Sequence, residues 1–126
     1  MSKEFTTSYH KILFLDNGII KLIPVTSDES LDKAKNVLAE IKRIAGGIKH
    51  PLIVDVRHNK SISREARQFY SGKEFADIVT SLALIVESPI SKVLANFFLF
   101  MNKPPYSTRL FTNENEAIEW LKDFLE

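Results

Sequence analysis

SLALIVESPISKVLANFFLFMNKPPYSTRLF, Ser81 to Phe111, reads as a strand, a helix and a strand in succession. SLALIVES, Ser81 to Ser88, is a short apolar run of the length and composition of a buried strand. Ser88-Pro89 then starts a helix. The serine hydroxyl can accept a free backbone N–H, and proline at the first helical position loses no hydrogen bond. Ile90, Val93, Leu94, Phe97, Phe98 and Met101 form an apolar stripe at helical spacing, which Leu99 and Phe100 extend most of the way round the C-terminal half. Asn102-Lys103-Pro104-Pro105 stops the helix, and STRLF, Ser107 to Phe111, is a short strand. A unit of this kind belongs to a layered α/β domain.

The same alternation continues on both sides. Asn113 with Glu116 makes a capping box for a last helix, in which Ala117, Ile118, Leu121, Phe124 and Leu125 face inward and Trp120 lies at their border. Upstream, LIVDV, Leu52 to Val56, is a second buried strand. RHNKSIS connects it to a helix capped by Ser61 or Ser63, with Ile62, Ala66, Phe69 and Tyr70 on its apolar side. Ser71-Gly72 interrupts that helix before a short one carrying Phe75, Ile78 and Val79. Leu31, Ala34, Leu38, Ile41 and Ala45, widened by Val37 and Ile44, form the most regular helical stripe in the chain, and Gly46-Gly47 end it. Thr26 and Glu29 are spaced as a capping box for it, with Ser27 and Asp28 as competing caps.

The chain opens on YHKILFLD and IIKLIPV, two apolar runs joined at Asn17-Gly18, where both residues accept positive φ and a tight hairpin is expected. Pro24 suits the end of the second strand. The first seven residues are polar and read as a loose lead-in. The resulting order is β-β-α-β-α(α)-β-α-β-α, a single α/β domain over residues 1–126 with an N-terminal hairpin and a central mixed five-stranded sheet flanked by helices.

Bulk composition narrows the function classes. The chain has 126 residues, enough for one core, and its 44% apolar and 26% charged content is that of a globular domain. Seventeen basic against sixteen acidic side chains leave a net charge of +1, so no global field draws in nucleic acid. Cysteine is absent, which removes disulfides, thiolate catalysis and cysteine zinc sites. MSKEFTTSYH lacks the apolar centre of a signal peptide, and no run reaches the length of a transmembrane segment. The expectation is a cytoplasmic protein without a cofactor.

RHNKSISREARQFYSG, SPISKVLANFFLFMNKPPY and LFTNENEAIEWLK resemble a bacterial family of small, stand-alone STAS/SEC14-domain proteins of unassigned role, within the SpoIIAA-like superfamily. The resemblance covers nearly the whole chain and implies a SpoIIAA-like fold. In the anti-sigma-factor antagonists of that superfamily, an Asp-Ser pair follows a strand and a kinase phosphorylates the serine. Aligned on that pattern, Ser63 takes the aspartate's place and Arg64 the serine's, so the phosphorylation switch does not carry over. Lipid-binding members imply that an apolar groove under a helix is possible.

Two groups of residues stand out. Arg57, His58, Lys60, Ser61, Ser63, Arg64 and Arg67 surround the carboxyl end of a strand, where open α/β sheets bind ligands. Arginines beside a helix start make an anion or partner contact reasonable. Phe97, Phe98, Phe100, Met101 and Tyr106 form the second group. Five successive apolar residues from Phe97 to Met101 span more than one helix face, so part of that surface needs cover from Lys103–Tyr106, a neighbouring helix or another molecule. Catalytic residues are not expected. Asp55, His58 and Ser61 are the right types for a hydrolase triad, but no nucleophile elbow accompanies them. His10, His50 and His58 are scattered, so no metal site is expected. The reading is a non-enzymatic regulatory or scaffold module acting by protein contact, as a homodimer or with a regulatory protein partner. The alternative is a small-molecule or lipid-binding protein with an apolar pocket of a few hundred Å³ between helices and sheet.

Overall fold

The computed structural model describes residues 3–125. Among these residues there are eight strands and five helices. They are β1 (Lys3–Thr6), β2 (His10–Phe14), β3 (Ile20–Pro24), β4 (Asp28–Glu29), α1 (Leu31–Ala45), β5 (His50–Asp55), β6 (Ser61–Ile62), α2 (Arg64–Tyr70), α3 (Lys73–Ala76), β7 (Val79–Ile85), α4 (Pro89–Asn102), β8 (Ser107–Phe111) and α5 (Glu114–Leu121), followed by a single 3-10 turn, Lys122–Phe124.

Six strands form the main sheet in the order β1-β2-β3-β5-β7-β8. The first three are antiparallel neighbours, and β3, β5, β7 and β8 run parallel. The sheet therefore has one strand more than the five expected. Lys3–Thr6, expected in a loose lead-in, pairs antiparallel with β2 as the edge strand; Met1 and Ser2 of that lead-in lie outside the described residues. A second, two-stranded sheet pairs β4 with β6 in parallel.

Side chains of the central strands alternate between two cores, as the period of two requires. Leu52, Leu82 and Leu84 face α1 to α4 together with Ile12, Leu22, Val37, Ile41 and Phe75. Ile53, Ala83 and Ile85 face α5, where they meet Ala117 and Leu121. Helices α1 to α4 thus cover one face and α5 the other. Both faces of β7 are buried from Ser81 to Ile85, which explains the apolar run Leu82–Ile85.

Local signals differ from expectation in several places. Helix α3 stops at Ala76, so Ile78 and Val79, expected on it, lie beyond its end and Val79 opens β7, while Ile62, expected on the apolar side of α2, pairs in β6. The hairpin closes through a three-residue loop rather than a two-residue Asn-Gly turn. Leu15 N–H donates to Ile19 O at 2.9 Å and Gly18 N–H to Leu15 O at 3.0 Å. Gly18 has φ +91°, whereas Asn17 is not in the left-handed region. The Asn17 side chain instead accepts from Ile19 N–H at 3.0 Å, an Asx-type bond. The cap of α1 is Ser30, which accepts from Lys33 N–H at 3.4 Å. Pairing of Asp28–Glu29 with Ser61–Ile62 holds this stretch extended, so the Thr26–Glu29 capping box does not form and Glu29 turns into the core.

Candidate functional site

Helix α4 is placed by its own ends. Ser88 Oγ accepts from Ser91 N–H at 3.0 Å, and Pro89 occupies the first turn. At the other end Lys103 adopts φ +45°, the left-handed conformation that closes a helix, and Pro104 follows. Between these stops the helix has two unlike apolar surfaces.

The inner surface roofs a cavity of about 80 Å³. Leu94, Ala95 and Phe98 form its roof, Leu22, Val54, Leu82 and Leu84 its floor, and Tyr70 and Phe75 a wall. Ala95 lacks the bulk to fill the space between helix and sheet. Phe97 does not line it, and the volume is smaller than the few hundred Å³ foreseen for a ligand pocket. Two polar side chains, Glu29 and Asn59, also reach the lining.

Glu29 belongs to a buried polar cluster that the sequence reading did not assemble. His10 is 0% and Glu29 6% exposed. His10 Nε2 lies 2.9 Å from Glu29 Oε2, and the Tyr70 hydroxyl donates to the same oxygen. Two donors on one oxygen suit an ionised carboxylate, with the His10 proton on Nε2 by the logic of the network. Among the described residues, Glu29 Oε1 and His10 Nδ1 are buried without a hydrogen-bond partner. Burial, reinforced by the charge of Glu29 and its hydrogen bond, holds the Tyr70 phenol well above its ordinary pKa. Tyr70 is anchored from behind. The Tyr106 hydroxyl donates to the Tyr70 carbonyl at 2.6 Å, and burial raises the Tyr106 pKa as well.

The outer surface of α4 is open. Ile90, Val93, Phe97, Phe100 and Met101 are large apolar residues exposed to solvent. The second group of candidates therefore divides: Phe97, Phe100 and Met101 point outward, while Phe98 and Tyr106 are buried. The Arg67 guanidinium lies over the Phe97 ring, 4.7 Å from its centroid.

The strand-end group is also divided. Arg57 is held by Asp55 through Nε–Oδ1 at 2.9 Å and Nη2–Oδ2 at 2.7 Å, on the face of the sheet covered by α5. Burial pushes the Asp55 carboxyl upward in pKa, but the hydrogen bonds and charge of Arg57 outweigh it and hold the group below the usual carboxylate range. Ser63 caps α2, accepting from Ala66 N–H at 3.1 Å. Arg67 Nη1 donates to Ile62 O at 2.9 Å. His58, Lys60, Ser61 and Arg64 are exposed. The fold thus brings Arg67 to Phe97, one residue from each group.

No group of three or more histidine, cysteine, aspartate or glutamate side chains able to hold a metal ion occurs among the described residues. Nor is any helix among them long and apolar enough to cross a membrane.

Residues 13–125 match the family model described as Domain of unknown function (DUF7793), and the chain belongs to that family. Among solved structures it is similar to an uncharacterized protein from the DUF3478 family with a SpoIIAA-like fold, from Shewanella loihica PV-4. That likeness has 13% sequence identity, covers 96% of this chain and 92% of the other, and has a TM-score of 0.58. At this identity it speaks for the fold alone, which is SpoIIAA-like. A protein with unknown function from Arthrobacter sp. FB24 is 30% identical over 88% of this chain and 97% of its own, with a TM-score of 0.32. No curated protein matches the chain.

Proposed function

We propose that this member of the DUF7793 family is a regulatory or scaffold module that works by non-covalent contact, pairing with a second copy of itself through the outer face of α4. One observation carries this reading. Ile90, Val93, Phe97 and Phe100 follow one another at steps of three, four and three residues and are 51%, 66%, 43% and 76% exposed. That spacing is the seam of a helix–helix contact. Lys92 is the only charged residue in Pro89–Asn102, and it lies one residue off the stripe.

Size supports a second copy as the occupant. With 150–250 Å² for a whole aromatic side chain, the exposed stripe and Met101 present roughly 500–600 Å² of apolar surface. That is the upper range for a monomer's largest patch. A two-fold axis places the same patch on both sides, so the pair removes about 1,000 Å² from water, where specific interfaces begin.

Light scattering over concentrations up to about 500 μM, far above typical dimer constants, tests the proposal. Wild-type protein is expected to have the mass of two chains. Phe100→Asp is expected to be monomeric, because removing an interface anchor costs at least ~2 kcal/mol per copy. Two copies make about a thousandfold loss in affinity. Its unfolding transition should move by no more than ~0.5 kcal/mol, since the site is on the monomer surface. Monomeric wild-type protein at the highest concentration, or a dimeric variant, refutes the reading.

A further inference from the structure

We propose that the cavity beneath α4 is a binding site for a small aliphatic ammonium ligand, its carbon chain against the apolar walls and its N–H donors on the Glu29 carboxylate. The site is on the inner face of the helix and does not depend on self-association through the outer one.

The first support is charge. Glu29 is the only charged side chain lining the cavity, and its surroundings there are almost wholly apolar, with Val54, Leu84, Leu94 and Phe98 among them. A carboxylate with such walls attracts a cation that also has a hydrocarbon part, and repels the head group of a fatty acid.

The second is an unmet hydrogen-bonding requirement. His10 and Tyr70 converge on Oε2, while Oε1 is buried with no partner among the described residues. A buried carboxylate oxygen without a donor is costly. Glu29 lines the cavity with Oε2 fixed by His10 and Tyr70, so a donor entering the cavity has the unpartnered Oε1 of the same carboxyl edge to bond. An ammonium group offers three donors, enough to serve Oε1 while Tyr70 and His10 keep Oε2.

The third is size. The cavity is about 80 Å³, roughly half of the 150 Å³ apolar cavity that accommodates benzene. It has room for about four carbons and no ring. For a ligand of about five heavy atoms the limit of ~1.5 kcal/mol per atom caps affinity in the micromolar range, and about half that per atom places binding in the low millimolar range.

The test is a titration of the wild-type protein with n-butylamine hydrochloride, n-butanol and sodium butyrate, followed by amide chemical shifts. The amine is expected to saturate in the low millimolar range and to bind about tenfold more tightly than the alcohol, with butyrate weaker still. Shifts should concentrate in Leu94–Phe98, Val54 and Glu29. Equal affinities for amine and butyrate, no saturation up to tens of millimolar, or shifts confined to exposed acids such as Glu74 and Glu119 would overturn the proposal. Glu29→Gln should lower amine affinity to that of the alcohol, and an unchanged preference in that variant also overturns it. If the variant does not fold, the ranking of the three probes on wild-type protein decides alone.

Discussion

Tyr70→Phe removes one oxygen atom and tests the buried cluster directly. The ring stays against Phe75, edge to face with centroids 5.0 Å apart, so its packing is retained. What is lost is the donor to Glu29 Oε2, leaving that oxygen with His10 alone. A hydrogen bond to a charged acceptor is worth ~1.5–3 kcal/mol. Because Oε1 already lacks a partner among the described residues, the upper half of that range applies, about 2–3 kcal/mol. With a urea m-value of ~1–3 kcal/mol/M, the midpoint should fall by about 1–2 M. In a thermal scan the melting temperature should drop by about 8–12 °C, since ~1 kcal/mol moves a domain of this size by several degrees. Tyr106→Phe is the matched control. Its hydroxyl donates at 2.6 Å to a neutral carbonyl, that of Tyr70, so its removal should cost only ~1 kcal/mol. A second comparison isolates the charge: in a Glu29→Gln background, Tyr70→Phe should fall to the cost of a neutral bond. Equal losses for Tyr70→Phe and Tyr106→Phe, or a Tyr70→Phe cost unchanged by Glu29→Gln, would refute an ionised Glu29 held by the phenol.

Two further outcomes follow from the ends of elements. Arg57→Gln should destabilise the protein by about 1–2 kcal/mol at neutral pH, a figure discounted because Arg57 is 39% exposed. The folded pKa of Asp55 lies below its unfolded value, so its contribution is fully present above the unfolded pKa, ~3.9, and is lost as pH falls through the folded value. The gap between wild type and variant in urea unfolding should therefore close below about pH 4; a gap constant down to pH 3 contradicts the pairing. Lys103→Gly replaces a side chain held at φ +45°. It should stabilise the protein by ~0.5 kcal/mol, the relief of left-handed strain less the greater unfolded-state freedom of glycine, and a loss of stability would show that Lys103 makes a contact outweighing its strain.

What could be read from the sequence and what could not divide along the range of the interactions. Ser88-Pro89, Asn113 and Gly46 act within one helical turn; the first two start α4 and α5 and the third ends α1, each where its chemistry says. Glu29 does not, because its direction depends on a two-residue pairing with Ser61–Ile62, some thirty residues away. As a local sequence, Thr26–Glu29 is a good capping box; the non-local ladder overrides it. His10 offered a weak signal, lying two residues from Ile12 and so on the same buried face of β2, but nothing nearby names its partner. Lys3–Thr6 is polar because an edge strand has one neighbour and a solvated side, which makes it look like a tail.

Helix α4 shows how a local surplus becomes two surfaces. Five successive apolar residues, Phe97 to Met101, advance about 100° each, so they cannot all face one sheet whatever the fold. In this protein Phe98 turns to the cavity, Leu99 packs at the edge of the core, and Phe97, Phe100 and Met101 remain outside. The two surfaces then make different physical demands. The outer one is apolar apart from the Arg67 guanidinium over Phe97, and the proposed second copy would cover it with a complementary apolar face by symmetry. The inner one ends at a carboxylate whose Oε1 has no hydrogen-bond partner among the described residues, a requirement no apolar surface can meet. A substitution at Phe100 should therefore change assembly without altering amine binding, and one at Glu29 should do the reverse. The separation of those two effects, one at Phe100 on the outer face of α4 and one at Glu29 of β4 beneath its inner face, is what distinguishes two sites from one extended greasy patch.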